Sequence, residues 1–183
     1  MVDNNNNIFD NNADINEIEE NKLWLGNTFA AANIQDLKNK GIKKILTVMN
    51  TDPSRYFFNE HGFIHKIINI MDFDSVNIIQ YFGECLNFMK GEEKVFVHCG
   101  VGVSRSATIV IAYLMWKYKM KYDDAFQFVK NKRPIICPNL GFTEQLKIFE
   151  KLLTENNYDI NLINFKEVNW VPPAHMPILF SYY

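Results

Sequence analysis

Val97-His98-Cys99-Gly100-Val101-Gly102-Val103-Ser104-Arg105-Ser106-Ala107-Thr108 stands between two different periodicities. Before it, Lys94-Val-Phe-Val-His98 is short and apolar in its middle, the pattern of a core strand. After it, a helical pattern runs from Ser106 to Tyr118. The seven residues from Cys99 to Arg105 carry glycine or a small side chain at 100, 102 and 104, so the backbone can curl until successive N–H groups point at one centre. Such a nest at a helix N-terminus suits a dianionic phosphate. Arg105, where loop becomes helix, offers a planar fork that can hold two phosphate oxygens, a contact lysine cannot reproduce. A thiol at the base of the nest feels the same positive field, which favours the thiolate, and a thiolate facing a bound phosphorus is an in-line nucleophile. Two other loop types fail on their letters. A Walker A loop needs a lysine, and none occurs between Lys94 and Lys117; a dinucleotide fingerprint needs glycine at 105, where Arg105 stands.

Outward from this junction, the pattern is strands alternating with helices, then helices alone. Lys22-Leu-Trp-Leu-Gly26 reads as a strand, and the stretch from Asn33 to Gly41 as a short helix with an N-cap residue at one end and a stop glycine at the other. Ile42 to Met49 and Phe63 to Ile70 are β-branched, alternating runs. Ser75 opens a helical pattern through Val76, Ile79, Phe82, Leu86 and Met89 that Gly91 ends. Helices follow the loop from about Ser106 to Tyr118, Tyr122 to Lys132 and Gly141 to Asn156. This order predicts one α/β domain, a central and mainly parallel sheet flanked by helices, over residues 22–156. Residues 1–21, with eight Asn, predict a disordered extension. Residues 157–183 form a second extension, which holds three of the six prolines and ends in an apolar run.

Composition narrows the class. The 183 residues carry 48% hydrophobic side chains, enough for a core without staples, and a net charge of −2, which does not suit a dedicated nucleic-acid binder. Of the 19 basic residues only Arg55, Arg105 and Arg133 are arginine. Cys85, Cys99 and Cys137 are an odd set without C-x-x-C spacing, so a reducing, intracellular compartment, cytoplasmic or nuclear, is expected. The longest apolar run has eight residues, too short for a membrane span, and the N-terminus has no signal-peptide pattern.

The segment from His98 to Ser106 matches H-C-x-x-G-x-x-R-[ST] and resembles the signature of cysteine-dependent protein tyrosine phosphatases; its Ser-Arg-Ser ending resembles the dual-specificity phosphatases in particular. Leu23-Trp-Leu-Gly26, the strand from Gly41 to Val48, and Arg133-Pro134-Ile-Ile-Cys-Pro138-Asn139-Leu-Gly141-Phe142 extend the resemblance over about Lys22 to Leu153. The resemblance implies hydrolysis of phosphotyrosine and phosphoserine or phosphothreonine in proteins, with no cofactor and no metal. It assigns Cys99 as nucleophile forming a phosphocysteine, Arg105 as phosphate clamp, and Asp72 as acid then base, with Asp74 a second candidate. Ser106 would donate to the thiolate and His98 would orient the loop. The backbone N–H groups of Gly100, Val101, Gly102, Val103, Ser104 and Arg105 would hold the phosphate, and Asn139 would brace the site. A phosphorylated protein is the expected partner. A phosphoinositide or RNA 5′-phosphate phosphatase and a non-catalytic phosphopeptide-binding module are the alternatives, although the loop lacks the lysines that the first of these tends to carry.

The remaining chemistry-bearing residues favour structural readings. Cys85 sits on a helix and Cys137 near a turn, both more naturally packing residues than redox partners. His61 and His65 lack the acid cluster that a metal site would add. Lys38, Lys40, Lys43 and Lys44 fit a solvated face better than a docking patch, and Lys117, Lys119 and Lys121 complement a helix C-terminus. Trp116 reads as core. The C-terminal tail is left open between packing on the domain and recruiting a partner.

Overall fold

Alternation along the strands decides which side chains meet. Leu23, Leu25, Leu46, Val48, Val95 and Val97 point to one face of a sheet and join one buried cluster, while Trp24, Ile45 and Phe96, the residues between them, join a cluster on the other face. The computed structural model describes residues 14–52 and 58–173, so Arg55, residues 1–13 and the apolar end at 178–183 lie outside the described residues.

Strands β1 (Ile15–Glu19), β2 (Leu23–Gly26), β3 (Lys44–Val48), β4 (Ile64–Ile68) and β5 (Val95–His98) form one sheet in the order β1-β2-β5-β3-β4. Only β1 runs antiparallel to its neighbour; the other pairs are parallel, as the alternation of strands and helices predicts. Helices α1 (Thr28–Ala32) and α2 (Ile34–Asn39) contribute Ala30, Ala31 and Leu37 to the smaller cluster. Helices α3 (Phe82–Met89), α4 (Arg105–Tyr118), α5 (Tyr122–Lys132) and α6 (Leu140–Glu155) cover the other face. In α4 every residue from Ser106 to Met115 is buried, so its apolar run makes it the central helix. β2, β3 and β5 end side by side, with Gly26 opposite His98 and His98 opposite Thr47. The loop after β5 therefore emerges at the carboxyl edge of the sheet, the usual place for a ligand in an open parallel sheet.

Three segments differ from the sequence expectation. The extension expected through Asn21 contains β1, whose Ile18 is 1% exposed. Its polar residues have partners in the domain: Asn16 accepts from Arg133, and Glu19 accepts from Lys117 and Tyr118. The Asn-rich setting conceals a strand whose polarity is satisfied by distant residues. The helix expected from Ser75 begins at Phe82, after a 3₁₀ turn at Ile79–Tyr81. Gln145 of α6 accepts from the Ile79 N–H (3.0 Å) and donates to the Val76 carbonyl (2.9 Å), taking up backbone groups that an earlier helix would pair internally. Past α6, left-handed backbone at Asn157 and Tyr158 turns the chain back on the domain, where Ile160, Ile163 and Phe165 are buried. Packing is thus the observed behaviour of the C-terminal extension as far as Trp170, whose indole donates to the Asp74 carbonyl.

Asn33 and Asn139 each accept a hydrogen bond as N-caps, of α2 and α6. Lys40 pairs with Asp36 and Lys44 with Glu93, consistent with a solvated face. Cys85 is fully buried in the larger cluster, and burial pushes its thiol well up, away from the reactive thiolate. If β1 is integral to the fold, Ile18→Ala should cost about 2–4 kcal/mol, read from the denaturant midpoint. A strand that merely rests on the sheet would lose almost nothing.

Candidate active site

Amides can converge on an anion only if their carbonyls turn outward, and a buried carbonyl needs a donor. The loop after β5 meets this condition at five successive residues. The Gly100 carbonyl accepts from the Thr28 N–H and hydroxyl (both 3.2 Å), at the start of α1. Val101 and Gly102 carbonyls accept from the Arg133 guanidinium at 3.1 and 2.8 Å. The Val103 carbonyl accepts from the Cys137 N–H (2.9 Å), and the Ser104 carbonyl from the Thr108 N–H (2.8 Å) and hydroxyl (2.9 Å). Gly102 adopts φ +73°, and a Cβ there would lie 2.4 Å from the Gly26 carbonyl oxygen, so this corner admits only glycine.

Inside the curl lies Cys99, 1% exposed, whose Sγ accepts from the Gly102 N–H (3.2 Å) and the Ser106 hydroxyl (3.1 Å). The α4 N-terminus opens behind it. Unlike α1, α2 and α6, this helix has no side-chain cap, which leaves its N–H groups to the centre of the loop.

Asp72, on the loop after β4, reaches the same place. Its Oδ1 accepts from the Ser104 hydroxyl (2.7 Å) and the Asn139 side-chain amide (2.8 Å), while Oδ2 lies 3.4 Å from Arg105 Nε. Arg105 also reaches the Ile70 carbonyl at 3.4 Å. Asp74 faces elsewhere: its carboxylate accepts from the Gly141 N–H at 3.4 Å, and its carbonyl accepts from the Trp170 indole at 2.8 Å. The geometry separates the two acid candidates, placing Asp72 beside Arg105 and Asp74 against α6.

Under the loop, Thr47 of β3 sits between two histidines, 2.7 Å from His98 Nε2 and 2.8 Å from His65 Nε2. Its single hydroxyl proton serves one ring, so the other must donate to Thr47 Oγ1. Burial lowers the His98 pKa to about 3, against the backbone hydrogen bond with Cys99 that raises it, and burial lowers His65 to about 4. Both rings are neutral near pH 7. His98 is wholly buried beneath the loop.

Cys99, Arg105, Asp72, Ser106, His98 and Asn139, expected together from the sequence, lie around one loop. The side-chain contact of Ser104 and those of Thr28, Thr47, His65 and Asn16 were not among the sequence expectations. Thr47 had a signal, a hydroxyl at a core position of an apolar strand. Asn16 had none, because its partner Arg133 lies 117 residues away. Arg133, read as part of a turn, is 1% exposed and holds the loop by two carbonyls. Two clefts of about 410 and 540 Å³ are lined by none of the cradle residues.

Comparison with known proteins gives a consistent result. Residues 23–152 match the family model described as dual specificity phosphatase, catalytic domain. Dual specificity protein phosphatase 1 of Arabidopsis thaliana is 40% identical over 136 residues, covering 72% of this chain and 67% of that protein. MAP kinase phosphatase with leucine-rich repeats protein 1 of Dictyostelium discoideum is 45% identical over 137 residues, 73% of this chain; the chain spans only 16% of that longer relative. Among solved structures, human tyrosine phosphatase-like serine/threonine/tyrosine-interacting protein aligns with TM-score 0.71 at 33% identity, over 78% of this chain and 99% of that one. The crystal structure of DUSP15 aligns with TM-score 0.72 at 27% identity, over 80% of this chain and 93% of that one.

Two outcomes follow from the geometry. Arg133→Gln frees the Val101 and Gly102 carbonyls, and the resulting drift of the loop should lower kcat/KM by up to about 10²-fold for any phosphate ester. Neutral His98 makes stability fall on acidification: below pH 6.5 the unfolded chain takes up a proton that the folded chain refuses until about pH 3. The unfolding free energy from denaturant titrations should therefore decline between those values by up to about 1.4 kcal/mol per pH unit, mostly from His98 because His65 is only half-buried. An undiminished slope in His98→Gln would refute that source.

Proposed function

Because the chain belongs to the dual specificity phosphatase family, we propose that Cys99 is its nucleophile, Arg105 its phosphate clamp and Asp72 its general acid. The activity is dual-specificity protein phosphatase, hydrolysing phosphate esters of tyrosine and of serine or threonine in protein substrates. The observation that carries the site assignment is the outward tethering of five successive carbonyls, which leaves Cys99 Sγ facing inward-turned amides.

The chemistry proceeds in two displacements. The substrate phosphate enters the nest, with its oxygens on the loop amides and the Arg105 fork. Cys99 thiolate attacks phosphorus in line, the phosphorus–oxygen ester bond breaks, and Asp72 gives its proton to the departing oxygen. The Asp72 carboxylate then takes a proton from water as that water attacks phosphorus. The sulfur–phosphorus bond breaks and Cys99 leaves as thiolate, stabilised by the Ser106 hydroxyl; inorganic phosphate is the product. Ser104 and Asn139 hold the acid at its place through one carboxylate oxygen, leaving the other toward Arg105.

Relatives in Dictyostelium discoideum are named MAP kinase phosphatases, so a phosphorylated MAP kinase segment is the first protein substrate to try. Cys85, Cys99 and Cys137 are all free, which suits a reducing intracellular compartment, since Cys99 acts only as a thiol. Among the described residues no helix is long and apolar enough to cross a membrane.

Hydrolysis of an aryl phosphate in excess chelator tests the assignment. Cys99→Ser should abolish turnover, and Arg105→Ala should cost about 10²-fold or more as a lost transition-state donor. Asp72→Asn should cost about 10²- to 10⁴-fold. Unchanged turnover in Cys99→Ser would sink the mechanism, and a crippled Asp74→Asn beside an active Asp72→Asn would move the acid to Asp74.

A further inference from the structure

The family match ends at residue 152, yet the chain continues and returns to the site. After α6 it turns at Asn157 and Tyr158, where the Trp116 indole donates to the Tyr158 carbonyl at 3.2 Å. Phe165 is buried with its ring centre 5.9 Å from that of Phe149 on α6. The Asn77 side-chain amide donates to the Val168 carbonyl at 2.8 Å, and Trp170 Nε1 donates to the Asp74 carbonyl at 2.8 Å. These four contacts make the segment from 158 to 170 a strap, and its last contact is two residues from Asp72.

Ser104, Asn139 and Arg105 hold the Asp72 side chain, but the main chain of the loop that the strap meets has fewer ties. Residues 69–73 belong to no helix or strand. Its main chain is tied by the Arg105 contact to Ile70 at 3.4 Å and by the turn from Val76 N–H to the Phe73 carbonyl at 3.0 Å. On its far side Asp74 abuts α6 so closely that a Cβ on Gly141 would lie 2.0 Å from the Asp74 oxygen. Trp170 closes the Asp74 carbonyl from the direction that α6 leaves open. A carbonyl fixed between helix and indole fixes the turn from Phe73 to Val76 that contains it, and with it the reach of Asp72.

We infer that Trp170 is a positioning residue for proton transfer, its indole N–H holding the acid loop so that Asp72 meets the departing oxygen. This rests on the assignment of Asp72 as general acid. Trp170 touches neither the phosphate cradle nor Cys99 among the hydrogen bonds described, so its loss should spare phosphate binding and penalise only the esters that need protonation to leave. Such a role requires residues outside the family's matched span.

The test uses the full 183-residue chain and a series of aryl phosphates whose leaving phenols differ in acidity. Trp170→Phe keeps the ring and removes the N–H. It should lower kcat/KM by roughly tenfold for the poorest leaving group, part of the 10²- to 10⁴-fold worth of a positioned acid. For the most acidic phenol the loss should stay within about twofold, as should inhibition by inorganic phosphate. Asn77→Ala, which releases the strap at Val168 without touching the loop, should give the same steepened leaving-group dependence in weaker form, and covers the case in which Trp170→Phe folds poorly. Asp72→Asn is the reference. If it fails to steepen the dependence, the acid assignment itself is wrong. If it steepens the dependence while Trp170→Phe follows wild type or loses activity equally for every ester, the positioning role is overturned.

Discussion

Five consecutive peptide carbonyls, from Gly100 to Ser104, face away from the centre of their own loop, and each is met by a donor from elsewhere. The donors come from the start of α1, from α4 itself, from Cys137, and from Arg133 at the end of α5. A loop of glycine and small residues has high conformational entropy, and ordering it costs about 1–2 kcal/mol per residue. The surrounding elements offset that cost before any substrate arrives. Binding energy is then free to act on the transition state, which is what preorganised amides contribute to catalysis.

The same constraint explains the polar groups buried beneath the loop. Arg133 is almost wholly buried, and burial lowers its pKa while the neighbouring Cys99 and Asp14 oppose the shift. A buried guanidinium is costly unless its donors are used. Here they are used on the carbonyls of Val101 and Gly102 and on Asn16 of β1. Removing β1 would therefore reach the loop after β5 through one arginine. Thr47 plays a parallel part under His98, where a hydroxyl joins two neutral rings and keeps charge away from the sheet side of Cys99.

Asp72, with no secondary structure of its own, takes its place from Ser104, Asn139 and Arg105. Asn139 is the clearest case of one residue serving fold and chemistry together. Its Oδ1 caps α6 through the Phe142 N–H, its backbone N–H donates to Ser104, and its amide holds Asp72. The helix start and the position of Asp72 are thereby set by a single side chain.

Legibility divides along range. Strand alternation, helix periodicity and a nine-residue motif are local, so the chain alone determined the α/β order, the position of the loop, and Cys99 and Arg105 as the residues of interest, with Asp72 and Asp74 both standing as acid candidates. β1 was hidden because its Asn and Glu side chains look solvated until Arg133, Lys117 and Tyr118 are placed beside them. The delayed start of α3 was hidden because Gln145, 66 residues on, takes the Ile79 N–H. Only tertiary structure decided that Asp72 rather than Asp74 faces Arg105, that Arg133 braces the loop, and that the segment after α6 comes back to Asp74. Each of those outcomes is a hydrogen bond between groups far apart in the chain, and a one-dimensional pattern records a residue's own preference, not the distant donor or acceptor that will satisfy it.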